Sequence, residues 1–242
     1  YETINQLNLM IRKTNETTLL DENEKNYFLG EAYGMRAYIY FHLLRSWGDV
    51  ILVTEPTLGN ELDISHLEQA ASPSSEVMDQ IKKDIDGSVN ACGSDYSYKY
   101  GKGYWSKSAT LILKGEVYLW SGRQMGGGTG DYSTAKAASR LTGTLKAVYQ
   151  KQEDGSIKYI APFAYKFQGT TLEGSNERNW LDDYPIYRYA DALLLLAEAK
   201  ALLGEDPSTE INAVRERAYG SEYFNAHKNE VAYPNDKGSF YN

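Results

Sequence analysis

Apolar residues recur at helical spacing through most of the chain. Ile4, Leu7 and Ile11 step by three and four, which predicts a helix at the start. Asp21 followed by Glu24 reads as a capping box, in which each side chain satisfies the other residue's backbone N–H. The helix it opens carries Phe28, Ala32, Met35, Ile39 and Leu43 on one stripe. It is expected to run to about Ser46, where Gly48 can end it. Val50, Leu52 and Val53 then read as a short extended piece stopped by Pro56, and residues 57 to 71 read as a loop. Ser72-Pro73 starts another helix, because proline is tolerated in a first turn, with Val77, Ile81, Ile85 and Val89 on its buried face.

The stretch from Cys92 to Gly103, CGSDYSYKYGKG, is rich in glycine, serine and tyrosine and predicts an exposed loop. A helix follows from about Ser106 to Ser121, with Ile112, Leu113, Val117 and Trp120 apolar. The segment QMGGGTG, Gln124 to Gly130, is not expected to be helical, since each glycine costs about 1 kcal/mol in a helix interior. Asp131 to Leu141 resumes helical character. Residues 143 to 180 are polar and weakly alternating, which predicts short strands or loops. Tyr184-Pro185 opens the strongest helical pattern, with Ile186, Tyr189, Ala190, Leu193, Leu194, Ala197 and Ala201 inward and Gly204 at its end. Ser208 caps a last helix holding Ile211, Val214 and Ala218, and the tail after Gly220 reads as irregular.

Two of these helices share a spacing. Gly115 is followed by Gly122, and Ala197 by Gly204, and each glycine leads through an acidic turn into a second helix. That resembles the tetratricopeptide pattern loosely, in which a small residue lets two helices approach and glycine ends the first. The glycine-rich insert breaks one copy. The fold class is therefore mostly α, built of tetratricopeptide-like helical hairpins with loops and a few short strands, a scaffold suited to binding.

Composition sharpens this reading in three places. There are 21 tyrosines and 4 tryptophans against 6 phenylalanines, and rings with polar tips suit wet interfaces and polar ring-shaped ligands. A net charge of −8 with no basic stripe argues against nucleic acid and against docking on an anionic bilayer. Cys92 is the single cysteine, so an intrachain disulfide is impossible, and His42, His66 and His227 lack metal-ligand spacing. No metal or cofactor is expected. No apolar run approaches the roughly 18 residues of a membrane span. The chain opens on Tyr1, which suggests that an initiator or leader precedes it.

Catalytic motifs do not stand out. Nucleophile-elbow, zinc-protease and phosphate-loop patterns are missing from the sequence. Asp182-Asp183 beside Trp180, and Asp49 beside Trp47, are carboxylates near aromatic rings, as in glycoside hydrolases. Asp183 also sits where a helix cap belongs. Arg36, Arg188 and Glu198 lie within otherwise apolar helices and either pair with opposite charges or line a ligand site, pairing being the commoner role.

Two blocks carry a family resemblance. EAYGMRAYIYFHLLRSWGDVILVTEP, Glu31 to Pro56, resembles the first signature block of SusD/RagB-type proteins: an acidic-alanine helix, Arg-Ala-aromatic-x-aromatic, then a glycine break into a strand. YPIYRYADALLLLAEAKALLGED, followed by INAVRERAYG, resembles the second, and KSATLILKGEVYLWSG resembles the helix between them. The resemblance covers about 31–142 and 180–220, with 143–179 loop- or strand-like, in a single domain over 1–242. It implies a non-catalytic, surface-exposed outer-membrane lipoprotein of Bacteroidetes-type bacteria. Such a protein holds oligosaccharides on an aromatic surface above a SusC-like TonB-dependent transporter. The lipid-bearing N-terminal cysteine is not in this sequence. Family members are about twice as long, and the arginine-rich helix that follows the second block is absent, so segments near 139–150 and after 242 are expected to be missing.

On this reading the helix from Glu31 is two-sided. Met35, Ile39 and Leu43 pack inward, while Tyr38, Tyr40 and Phe41 fill grooves between hairpins. The Trp47-Gly48-Asp49 break lifts the chain out, so that Trp47 offers an indole face to a sugar and Asp49 accepts hydroxyl hydrogen bonds. The competing reading has Trp47 packing the helix end. Trp105, reached through the Tyr96-Tyr98-Tyr100 loop, and Trp180 are the other platform candidates, with Tyr98 beside them and Asn60 and Asp95 supplying polar contacts. Two further functions stay open: a glycoside hydrolase using Asp182 or Asp183, and a peptide-binding tetratricopeptide adaptor.

Overall fold

The opening helix forms where its spacing places it. In the computed structural model, which describes residues 1–58, 69–97, 104–142, 170–171, 178–179 and 187–235, α1 spans Glu2–Glu16 and buries Ile4, Leu7 and Ile11. Helix α2 spans Glu22–Trp47, and its capping box is complete. Asp21 Oδ1 accepts the Glu24 N–H at 2.9 Å, and Glu24 Oε2 accepts the Asp21 N–H at 3.1 Å. The remaining helices are α3 (Ser74–Cys92), α4 (Lys107–Gln124), α5 (Gly128–Thr142), α6 (Tyr189–Leu202), α7 (Ser208–Tyr219), α8 (Ser221–Ala226) and α9 (Lys228–Val231). Between α5 and α6 a two-residue antiparallel pair joins Thr170–Thr171 to Arg178–Asn179.

The helices stack in chain order. From α1 to α7 each packs on the next, and the alternate helices α2, α4 and α6 also touch in succession. This is the layering of helical hairpins in a tetratricopeptide-like array. Close approach between α4 and α5 depends on the small residues anticipated there. A Cβ on Gly115 would sit 2.7 Å from Ser139 Oγ, and one on Gly122 would sit 2.4 Å from the Tyr132 ring.

Helix α2 departs from its single predicted stripe because it carries two. Ala32, Met35 and Ile39 meet Leu7 and Ile11 of α1. Ala37, Tyr40, Phe41 and Leu44 form the centre of the larger core with Val77, Ile81 and Ile85 of α3 and Leu113 and Val117 of α4. Tyr40 and Phe41, expected as groove fillers, are fully buried. A helix packed by neighbours on two sides shows no clean amphipathic stripe.

Four other boundaries differ from expectation. Gly128 to Gly130 form the first turn of α5, where N–H groups lack intrahelical partners and the interior penalty of glycine does not apply in full. Helix α6 begins at Tyr189, after the non-helical Tyr187 and Arg188, with Tyr184 to Ile186 outside the described residues; its buried residues are Ala192, Leu196, Ala197 and Ala199, while Tyr189 and Leu194 face solvent. At α7 the cap role falls to Asp206, whose Oδ1 accepts the Ser208 N–H at 2.9 Å. The tail expected to be irregular holds α8 and α9.

After α2 the chain is pinned to the helices it has left. Gly48 adopts φ +73°, a conformation that favours glycine, and its N–H bonds Leu44 O at 2.9 Å. Val50 and Ser72 form an antiparallel bridge. The Tyr40 hydroxyl donates to Val53 O at 2.9 Å and accepts the Val53 N–H at 2.8 Å. Asn8 of α1 donates to the same Val53 carbonyl at 2.9 Å, and Asn5 both donates to and accepts from the Thr57 backbone.

Two stability measurements follow. Tyr40→Phe leaves the Val53 N–H without its partner, while Asn8 still serves the Val53 carbonyl, so urea unfolding should show a loss of about 1–3 kcal/mol. Gly34→Ala would improve an ordinary exposed helix by about 1 kcal/mol. Here its Cβ would lie 2.0 Å from Trp105 Nε1, and the same assay should show destabilisation of about 1–3 kcal/mol instead.

Candidate functional site

The Trp47 end of α2 combines an exposed ring with a fixed base. Trp47 is 70% exposed, so its ring does not pack the end of the helix. Asp49 is occupied differently. Its Oδ1 accepts the Ser74 N–H at 2.7 Å, so it caps α3 from a distance, a position where Pro73 itself offers no side-chain cap. The Trp-Gly-Asp break is therefore a joint between the end of α2 and the start of α3, with the indole left outside it.

Trp105 is placed otherwise than expected. It is half-buried against the large core, with its ring 5.7 Å from that of Tyr38. Its Nε1–H donates to Thr110 Oγ1 at 2.7 Å, Thr110 and Ser88 hydroxyls lie 2.8 Å apart, and Ser88 donates to Gly30 O at 2.6 Å. This chain of polar groups crosses α4, α3 and α2, so Trp105 belongs to the frame. Asp95 lies on the surface, where Oδ1 accepts the Ser97 N–H at 2.7 Å and shapes the local turn. Asn60, Tyr98 and Trp180 lie outside the described residues, as do Asp182 and Asp183.

Around Trp105 a second group of rings and charges gathers. Tyr38 meets Trp105, Tyr187 (6.4 Å) and His42 (4.4 Å). The Tyr187 hydroxyl donates to Glu116 Oε2 at 2.7 Å, and Arg45 bonds Glu116 Oε1 at 2.7 Å. Burial and the neighbouring Glu116 carboxylate push the Tyr187 hydroxyl far above the ordinary tyrosine range. Burial and Arg45 hold His42 below its usual value, which keeps the imidazole neutral near pH 7. The charges here are satisfied by one another.

The charged residues flagged within apolar helices are paired. Arg188 lies 3.7 Å from Asp191, and Arg123 lies 2.7 Å from Glu198, both near the surface. The Arg36 pair is different, because both partners are buried. Arg36 meets Asp84 of α3 through Nε (2.7 Å) and Nη2 (2.6 Å), and its Nη1 donates to Asn8 Oδ1 (2.8 Å) and Thr54 O (3.2 Å). Burial works against the guanidinium charge, but the bond and field of Asp84 outweigh it and hold the group above its ordinary value.

This network forms the floor of a cleft of about 510 Å³ between α1 and α3, over α2 and beside Thr54 and Glu55. Sequence reading did not identify the cleft. Its signal was a polar stripe on α3, Gln80, Lys83, Asp84 and Gly87, at the same three- and four-residue spacing as an apolar face. Such a stripe ordinarily marks a solvated surface, and only the position of α1 turns it into a wall.

Comparison with known proteins gives these features a family. A family model described as "SusD family" matches residues 95–231. A second, described as "Starch-binding associating with outer membrane", matches residues 1–119. A SusD-like protein of Formosa agariphila is 32% identical over 123 residues, half of this chain, and this chain spans 22% of that relative's length. Among solved structures, B. fragilis NanU is 46% identical with a TM-score of 0.85 over 100% of this chain and 68% of its own. A SusD superfamily protein of Bacteroides vulgatus is 44% identical with a TM-score of 0.81 over 98% of this chain and 68% of its own. The order of its helical hairpins, the matched model and these two structures establish that the chain belongs to the SusD family.

Proposed function

We propose that this protein captures glycans at the bacterial cell surface, without cleaving them, and passes them to a SusC-like TonB-dependent transporter in the outer membrane. The match of residues 1–119 to a family described as starch-binding and outer-membrane-associated carries the reading. Attachment through a lipid on an N-terminal cysteine, a segment this sequence does not contain, and a single domain over 1–242 complete it. The geometry fits such a role. A sugar ring has apolar C–H faces that stack on an indole, and Trp47 offers one on a base pinned by Gly48, Asp49 and Val50.

A hydrolase using Asp182 or Asp183 and a peptide-binding adaptor are the competing functions, and one experiment separates all three. A panel of oligosaccharides and peptides is screened for binding, and the oligosaccharides are assayed for new reducing ends. Glycan binding with a constant count of reducing ends is the expected result. New reducing ends, or affinity for peptides alone, would overturn the proposal. Trp47→Ala should weaken glycan binding roughly fivefold, the equivalent of about 1 kcal/mol for one stacked ring. Its melting temperature should stay unchanged, because the side chain is largely in solvent. Calorimetry and a thermal melt check both halves.

A further inference from the structure

We infer that the cleft between α1 and α3 is a second glycan-binding subsite, which seats one or two sugar rings away from Trp47. The inference rests on the proposed glycan-binding function and adds a place for the ligand that no sequence pattern indicated. At about 510 Å³ the cleft lies in the range of small-ligand pockets, roughly 300–1,000 Å³.

Its construction is that of a preformed polar site. The floor, Asn8, Arg36 and Asp84, is buried and locked by mutual hydrogen bonds, with Gln80 Nε2 adding a further one to Asp84 Oδ1 at 2.8 Å. A floor that is already satisfied needs no rearrangement when a ligand enters, which lowers the cost of binding. The rim carries both signs: exposed Lys83 on α3, half-buried Arg12 with exposed Glu16 one turn on along α1, and exposed Glu55 after α2. Sugar hydroxyls both donate and accept, so a rim with carboxylates and cations can engage them in either sense. Charge-assisted bonds of this kind are about twice as strong as neutral ones.

One wall supplies a ring. Tyr33 lies along the cleft with Arg36 Cζ 5.5 Å from its centroid. Gly87 makes room for it, since a Cβ there would meet Tyr33 Cδ2 at 3.3 Å. The cleft thus sets an aromatic ring, one face of it covered by Arg36, beside hydroxyl-binding groups. Two of the rim residues stand apart from the packing of the helices. Lys83 and Glu55 are both exposed, and the cross-tie beneath them is complete without them.

The test uses the whole chain and a panel of short oligosaccharides with neutral, N-acetylated and carboxylated chain ends. The tightest member is then titrated by calorimetry into the wild type and two variants. Gly87→Leu fills the cleft from α3 with a residue that favours helix, and Lys83→Ala removes a rim donor without touching the floor. Gly87→Leu should lower affinity at least tenfold, with some loss of melting temperature because the new side chain crowds Tyr33, and Lys83→Ala should lower affinity about three- to tenfold with a melt near wild type. If both variants bind as tightly as the wild type, the cleft assignment is overturned and the glycan-binding function stands. If the wild type binds no member of the panel, the function itself fails and the subsite with it. Should Gly87→Leu melt early, Lys83→Ala decides alone.

Discussion

A buried ion pair sets the geometry on which everything else rests. Arg36 and Asp84 sit on different helices, both almost wholly out of solvent, and bond through two guanidinium nitrogens. Asn8 and the Thr54 carbonyl take up the third nitrogen, so α1, α2, α3 and the segment after α2 converge on one cation. A pair of this kind adds little to stability compared with apolar residues of the same volume. Breaking it on one side, however, leaves a buried charge at a cost of about 3–5 kcal/mol. That cost falls on any packing in which the three helices slip out of register.

The other polar contacts repeat the same logic. Trp105, Thr110, Ser88 and Gly30 tie α4 to α3 and α2, and Tyr40 clamps the Val53 peptide group with its hydroxyl. Asp49 joins the end of α2 to the start of α3. Between these ties the helices pack on their sequence neighbours, so the frame is built of contacts between successive helices. A preformed frame would serve the carbohydrate binding proposed above. Each ring or hydroxyl contact contributes little, and affinity survives only where few side chains must be ordered on binding.

Much of this frame was legible in the residues. The capping box at Asp21, the break at Gly48 and the spacing of α3 and α4 formed where the pattern placed them. Local rules suffice there because capping, glycine conformation and one-sided burial are decided within a few residues. They fail where burial comes from two directions, as at Tyr40 and Phe41, and where a glycine occupies a first turn, as at Gly128. The site was less legible. Residue type pointed to Trp47, Asp49 and Trp105 alike, but only partners remote in sequence separate an indole left in solvent from a cap and a core ring. The cleft was invisible for the same reason, since its two walls lie on helices far apart in the chain.

The most direct test of the cross-tie is a double-mutant cycle across Arg36 and Asp84, read by urea unfolding. With Arg36→Met, Asp84→Leu and the double variant, each single change should cost about 3–5 kcal/mol and the double change far less than their sum. Strictly additive losses would mean that the two residues do not depend on each other in the folded protein, and would contradict a frame held in register by this pair.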